Sequence, residues 1–533
     1  MTNPGEGDLL ALAVALGALR VGEVSTAERK LTAKLPPVLP TAIRYVREEI
    51  RAGRDPLGNE FCRLRTPEQR RPRGATYTPP AIVDAMVRWA VGKGRPSRVV
   101  DPGAGSGRFL VAAGRAFPCA ALVGVELDPV AALLCRAHVA AAGLSQRANV
   151  LRADYRSVDL PGLPEGQKTL FIGNPPYVRH HLLEPTWKEW LVREARRYGL
   201  KPSALAGLHV HFYLATASKA RPGDSACLIT SSEWLDVNYG RMMRKLLLNG
   251  LSAERIVLVE PSAQPFPDAQ TTATIACLER GARPSCVYFR RVANCADLGD
   301  LGGGRAVRRE RLQSARRWSG LTRPKKAAPS GYVELGELCR VHRGQVTGAN
   351  RLWIAGSGGP SLPPSVLFAS ITRARELYDA GPELATTRGL RAVIDLPRDL
   401  SDLRPEEREA VELFLDYVES RGGHQSYIAR HRRPWWRVGL RRPAPILATY
   451  MARRPPAFVL NKAEARHLNI AHGLYPREPT SDILLRRLVE YLRSNTSLSD
   501  GRTYAGGLTK FEPREMERLL VPSPQLLMSG EAP

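Results

Sequence analysis

Paired cysteines, long apolar runs and acidic charge are what this chain of 533 residues is short of, and each shortage excludes something. Its eight cysteines are scattered at Cys62, Cys119, Cys135, Cys227, Cys277, Cys286, Cys295 and Cys339. None forms Cys-x-x-Cys and none has a histidine at ligand spacing, which argues against a metal site of the structural zinc kind. Several lie in apolar stretches, the pattern of reduced cysteine in a cytoplasmic protein rather than of a secreted disulfide framework. The apolar run Leu9 to Leu19 is too short to cross a bilayer, and Glu6 and Asp8 precede it where a signal peptide would be basic. It reads as a core helix, with no membrane segment. There is no internal repeat, and no paired-carboxylate-plus-lysine cluster of the nuclease kind in 1–70 or after 290. Acidic residues number 52 against 78 Lys+Arg, a net charge of +26. Such an excess repels itself unless an anionic partner is near, and nucleic acid is the commonest such partner. The length predicts two or three domains.

One stretch concentrates chemistry. Thr169 to Gly173 reads as a buried strand that stops at Asn174-Pro175-Pro176-Tyr177. Proline lacks an N–H and fixes φ, so two in a row end a central strand in a rigid loop. This loop carries an amide, prolyl carbonyls and an aromatic ring. The set suits a flat heterocycle bearing an amino group: Asn174 and a proline carbonyl accept from the NH₂, and Tyr177 stacks on the ring. The same residues also make an ordinary turn, so the surroundings decide. The adjoining His180-His181 reads as a surface pair rather than a general base.

The surroundings are strands with polar tips. Gly74 to Pro80 leads into an amphipathic helix from Ala81 to Val91, with Thr78 expected as its N-cap and a proline at its first position. The strand ending in Asp101 is followed by Gly103-x-Gly105-x-Gly107, whose glycines let a ligand approach the backbone closely. The phosphate-type Gly-x-Gly-x-x-Gly of dinucleotide sites is absent. Glu126 ends the next strand, 19 residues after Gly107, a spacing that places a carboxylate on ribose hydroxyls in doubly wound folds. Asp154 ends the third strand, where it can accept from an adenine amine. Every polar group thus sits at a strand's carboxyl end, where open α/β sheets bind ligands. Strands at Ala226 to Thr230, Arg255 to Glu260 and Thr274 to Leu278 follow, the last two as a hairpin closing an otherwise parallel sheet.

From about 290 the character changes. Arg305, Arg308, Arg309, Arg311, Arg316, Arg317, Arg323, Lys325 and Lys326 form a basic stretch that reads as a linker or a backbone-binding loop. Arg343 to Asn350 and His431-Arg432-Arg433-Pro434-Trp435-Trp436-Arg437 interleave basic residues with glycine, proline and tryptophan, which suits phosphate contacts and loops that reach into a groove.

With these residues assembled, the chain resembles the gamma-type, TaqI-like N6-adenine DNA methyltransferases of type II restriction–modification systems. Six motifs occur in the family's order between about 74 and 280, with weaker likeness at Gly344 to Asn350 and Tyr504 to Lys510. The resemblance implies a Rossmann-like, doubly wound α/β S-adenosylmethionine-dependent catalytic domain over 71–290. It also implies a mixed α/β DNA target-recognition domain over 291–533, and leaves 1–70 as a helical extension. It places Thr78 near the methionine carboxylate of S-adenosyl-L-methionine, makes Asp101, Gly103, Gly105 and Gly107 the cofactor loop, sets Glu126 on the ribose, and sets Asp154 on the cofactor's adenine with Phe212 beside it. Asn174, Pro175 and Tyr177 would receive a flipped-out target adenine, with Phe266 as a second aromatic against the base. The family's frequent aspartate five residues before the asparagine is Thr169 here. The implied partner is double-stranded DNA, acted on by a monomer, with a separate cognate restriction endonuclease and no metal. An N4-cytosine DNA or RNA methyltransferase of the same fold is the alternative.

Overall fold

Strands and helices alternate between residues 80 and 308, and in the computed structural model they build one twisted sheet covered on both faces. The structure describes residues 5–70, 77–178, 180–203, 205–237, 239–260, 263, 272–315, 317–322, 329–356, 359–504 and 508–529. The strands are β1 (Arg98–Asp101), β2 (Ala121–Glu126), β3 (Ala148–Arg152), β4 (Thr169–Gly173), β5 (Ser225–Ser231), β6 (Ala253–Val259), β7 (Ala273–Glu279), β8 (Cys286–Val292) and β9 (Arg305–Arg308). Their order is β3-β2-β1-β4-β5-β7-β6-β8-β9. The first five are parallel, and β7 runs antiparallel between β5 and β6, which is the expected hairpin. β4 is buried at all five positions, as a strand covered by helices on both faces must be. The chain winds outward through β2 and β3, then returns to the other side of β1 to make β4. β1 and β4 are therefore neighbours whose following loops diverge, the switch point at which doubly wound sheets open a crevice.

Helices Pro80–Gly92, Arg108–Ala116 and Pro129–Ala141 cover one face, and Pro185–Arg197 and Leu208–Lys219 the other. The leading segment is helical as expected, with helices Glu6–Leu16, Thr26–Leu31, Pro40–Arg51 and Pro56–Leu64. It is not separate from the sheet. Leu9, Leu10, Leu16, Ile50 and Phe61 share a core with Val130, Leu133, Leu134 and Ala137 of helix Pro129–Ala141. Arg136 on that helix is fully buried and paired with fully buried Glu28 at 2.7 Å. The same guanidinium donates to the carbonyls of Val21, Glu23 and Val150.

Two domain boundaries differ from expectation. The first compact unit runs from the N-terminus to residue 324, so it takes in 1–70, and the second begins at 325 rather than 291. The basic stretch after 290 is not wholly a linker. β8 pairs in parallel with β6, and Arg305–Arg308 pairs antiparallel with β8, burying Val307 on the sheet's last strand. Arginine on an edge strand discourages further strand addition.

The second unit is mixed α/β. A five-stranded sheet, in the order Cys339–Arg343, Ala471–Pro476, Ile446–Thr449, Phe458–Asn461, Glu383–Leu384, packs on helix Asp482–Asn495. A second core gathers Trp353, Phe414 and Trp435, with ring centroids 5.7 and 6.4 Å from Trp353. No helix among the described residues is long and apolar enough to cross a membrane.

The buried Arg136–Glu28 pair fastens the leading helices to the sheet domain. Removing one partner strands the other charge without solvent, at a cost of about 3–5 kcal/mol. Glu28→Ala should lower the unfolding free energy by that order in denaturant titration, and a loss below about 1 kcal/mol, the ordinary worth of an exposed pair, would contradict this account.

Candidate active site

The loops after β1, β2, β3 and β4 enclose a cavity of about 290 Å³, near the lower end of the roughly 300–1,000 Å³ usual for ligand pockets. Thr78, Gly103, Gly105, Glu126, Asp154, Asn174 and Phe212 all line it. Sequence positions spread from 78 to 212 are thus brought to one place.

At the end of β1, Asp101 is fully buried. One carboxylate oxygen accepts from Gly103 N at 3.4 Å, and the other has no hydrogen-bond partner. Burial pushes its pKa up to about 8. The nearby Glu126 charge adds to the rise, and the Gly103 bond opposes it. Asp101 fits only because β4 ends in glycine: a Cβ on Gly173 would lie 2.4 Å from its Oδ1. Glu126 holds the glycine loop to β2, accepting from Gly105 N and Asp128 N, each at 2.9 Å. Gly105 and Gly107 both have positive φ, and Gly107 caps helix Arg108–Ala116. Gly107 is packed against Cys135 rather than on the cavity, 3.0 Å from its Sγ for a hypothetical Cβ.

Thr78 is not the N-cap expected of it. The helix starts at Pro80 with Pro79 before it and no side-chain cap. The Thr78 hydroxyl is buried and accepts instead from Asn174 Nδ2 at 3.0 Å. On the other side of that amide, the Tyr177 hydroxyl donates to Asn174 Oδ1 at 2.6 Å and to the Ile229 carbonyl at 3.3 Å. The Tyr177 ring packs against the core beneath the sheet, and Pro175 is buried. Asn174 is therefore oriented from both sides, with its amide on the cavity wall.

Asp154 is held by Arg156 through both carboxylate oxygens, at 2.9 and 2.6 Å, and the Arg156 guanidinium lies 3.5 Å from the centroid of Trp187. Phe212 stacks on Tyr155 at 5.4 Å. Phe266 lies outside the described residues, as does Arg179. Several wall residues carried no sequence signal of a site. Phe61 comes from the leading helices, Arg108 follows the glycine loop, and Trp187 opens helix Pro185–Arg197. Asp55 caps helix Pro56–Leu64 by accepting from Gly58 N at 2.8 Å.

In the second unit, the stretches around 343–350 and 426–437 pack together. The Arg432 guanidinium donates to the Val346 carbonyl, and a Cβ on Gly348 would lie 2.9 Å from Ile428 Cβ. Trp435 and Trp436 pack against the core instead of projecting into a groove, while Tyr427 is 75% exposed. Arg343 donates to the Tyr450 hydroxyl at 2.9 Å, and Tyr450 stacks on His472.

The first unit's strand order and the cavity at its switch point define a class, the Rossmann-like methyltransferases that use S-adenosylmethionine. Known proteins narrow it. Residues 165–266 match the family described as Eco57I restriction-modification methylase, and residues 391–532 match the type II methyltransferase M.Eco57I, C-terminal domain. The type II methyltransferase M.XamI of Xanthomonas campestris pv. amaranthicola is 50% identical over 533 residues, covering 98% of this chain and 99% of that protein. M.AccI of Acinetobacter calcoaceticus is 21% identical, with 85% of each chain covered. The type IIL restriction-modification enzyme MmeI, solved in complex with DNA, matches with a TM-score of 0.53 at 14% identity over 96% of this chain and 80% of that one, a likeness of fold. The chain belongs to the type II methyltransferases of restriction–modification systems.

The raised Asp101 pKa carries a sign. The folded chain keeps a proton up to about pH 8, whereas an unfolded aspartate loses it near pH ~3.9. Stability contributed there is therefore lost as pH rises from about 4 towards about 8. His209 and His211, pushed down by burial to about 4 and about 3, act in the opposite sense and are common to any Asp101 variant. Relative to Asp101→Asn, the wild-type melting temperature should fall across that window. Parallel curves for the two proteins would remove the buried acid from the account.

Proposed function

We propose that this methyltransferase transfers the methyl group of S-adenosyl-L-methionine to the N6 amine of an adenine flipped out of double-stranded DNA. The observation that carries the reading is the Asn174 amide on the cavity wall, braced by Thr78 and Tyr177. The cavity suits the cofactor. The backbone at Gly103 comes close to the Asn174 carbonyl, 3.7 Å for a hypothetical Cβ, so an extended chain laid on the glycines reaches the asparagine. Asp101 offers an unpartnered carboxylate oxygen near the loop, Glu126 lies between the loops for the ribose, and Asp154 with Phe212 forms the adenine end.

The cofactor supplies an electrophilic methyl group. The protein's task is the nucleophile, because an aromatic amine's lone pair is delocalised into the ring. Asn174 Oδ1 has two acceptor positions. Tyr177 donates to this oxygen, and in this reading one N–H of the target amine donates to it as well. The Pro175 carbonyl accepts the second N–H. Together these bonds pyramidalise the nitrogen and localise its lone pair, so positioning and electrostatics supply most of the rate. A base within a duplex must leave the stack to reach such a wall. The charge of +26 supports a polyanionic substrate. We assign the chain to the cytoplasm as a monomer that modifies each strand in turn, protecting host DNA from a separate cognate endonuclease.

Methyl transfer from labelled cofactor to unmethylated duplex DNA, followed by nucleoside analysis, tests the reading. Label in N6-methyladenine is expected. Label in N4-methylcytosine would overturn the choice of base, and transfer to RNA alone would overturn the substrate. Asn174→Ala should reduce turnover by at least about 10²–10³-fold, the scale of losing a pre-organised polar contact in a transition state, while cofactor binding persists. Retained turnover would remove the acceptor role.

A further inference from the structure

We infer that the leading helical segment completes the cofactor site, with Asp55 as a positioning residue for the glycine-rich loop. The inference rests on the S-adenosylmethionine reading of the cavity. The sequence before residue 71 carries no chemical motif, yet the helix Pro56–Leu64 meets the cavity wall at two points, its N-cap Asp55 bonding the wall residues Ser106 and Arg108 and Phe61 lining the cavity itself.

The first point is Asp55, which is buried. Its Oδ2 accepts from Ser106 Oγ and, at 2.7 Å, from Arg108 Nε. Ser106 lies in the glycine loop and Arg108 opens the helix that follows it. Arg108 extends the link, donating to the Thr78 carbonyl at 2.9 Å and to Asn59 Oδ1 at 2.6 Å. One carboxylate therefore ties the glycine loop and the residue that braces Asn174 to the leading helix. Gly58 keeps the approach open, since a Cβ there would lie 2.1 Å from Asp55 Oδ2 and 2.5 Å from Ser106 Oγ.

The second point is Phe61, which lines the cavity beside Tyr77 with ring centroids 6.0 Å apart. Arg65 lies over the Phe61 ring and pairs with Asp128 at 2.8 Å, and the Asp128 backbone donates to Glu126. The helix thus touches the loops after both β1 and β2, the two that carry the glycines and the ribose carboxylate.

Linkage follows. If the docked helix shapes the loop that binds cofactor, cofactor must in turn favour the docked helix, because coupling between sites is reciprocal. Calorimetric titration of S-adenosylmethionine into the full-length wild-type chain comes first; absence of binding there overturns the cavity's reading and is seen before any variant is compared. Asp55→Asn keeps the shape and the helix cap but removes the charge. It should weaken cofactor binding and raise the cofactor KM by on the order of 10-fold, as expected for loss of a buried charged hydrogen bond, with kcat at saturation changed by less than about twofold. Glu49→Gln, at an exposed ion pair with Arg54 on the same segment, should bind as the wild type does. Hydrogen exchange on the wild-type protein removes dependence on any variant: amides of residues 56–64 should exchange more slowly with cofactor present. An unchanged exchange rate there, or an Asp55→Asn chain with wild-type affinity, overturns the proposal.

Discussion

Two parallel strands that lie side by side and send their chains in opposite directions are the constraint on which this molecule's chemistry hangs. β1 and β4 pair from Arg98↔Thr169 to Val100↔Phe171, and the loops beyond them must part. The gap leaves strand-end groups at or just behind a cavity wall, without a neighbouring strand to satisfy them. Asp101 shows the cost, with one oxygen bonded only at 3.4 Å and the other unbonded. An unpaired buried polar atom is expensive, so it persists where a ligand or a proton occupies it. The rise of its pKa to about 8 is the same cost expressed as proton affinity.

The motifs that a sequence shows best are those whose chemistry is local. A double proline after an apolar run, glycines at alternate positions and acids at strand tips are visible because each forces a backbone event within a few residues. The strand Thr169–Gly173 accordingly falls where its residues indicate, and Glu126, Asp154 and Asn174 line one cavity, with Asp101 buried off its wall. Thr78 was misread for an instructive reason. Threonine before two prolines satisfies the rule for an N-cap, but the hydroxyl has a competing acceptor role 96 residues away in the chain, on Asn174. Propensity described the neighbourhood, and tertiary contact decided the bond.

What was illegible is long-range. Nothing in Asp55 distinguishes a helix cap from a helix cap that also holds Ser106 and Arg108. The domain boundary at 290 failed similarly. A run rich in arginine reads as solvated linker, yet Val307 alone, at an alternate position, gives Arg305–Arg308 a buried face on the sheet. The tryptophans near 435 sit in a basic run that suits phosphate contacts and a loop reaching into a groove. Their rings pack with Trp353 because indole area is worth more buried than exposed.

The two hydroxyls that flank Asn174 carry the synthesis further. A terminal amide on a loop has a nearly free rotation about its last bond, and in water its two ends are interchangeable as partners for a base. Here a hydroxyl accepts from the NH₂ end and a phenol donates to the oxygen end. Reversing the amide would require both hydroxyls to change roles, Tyr177 accepting from the NH₂ while donating to the Ile229 carbonyl and Thr78 donating to the amide oxygen. Both ends of Asn174 are thus already hydrogen-bonded before any substrate arrives, and pre-organisation of that kind spares a reaction the cost of reorganising its polar partners. It also explains why the tyrosine is half-buried. Its ring is anchored by the core so that its hydroxyl stays on the amide, and the same anchorage connects the sheet's interior directly to Asn174.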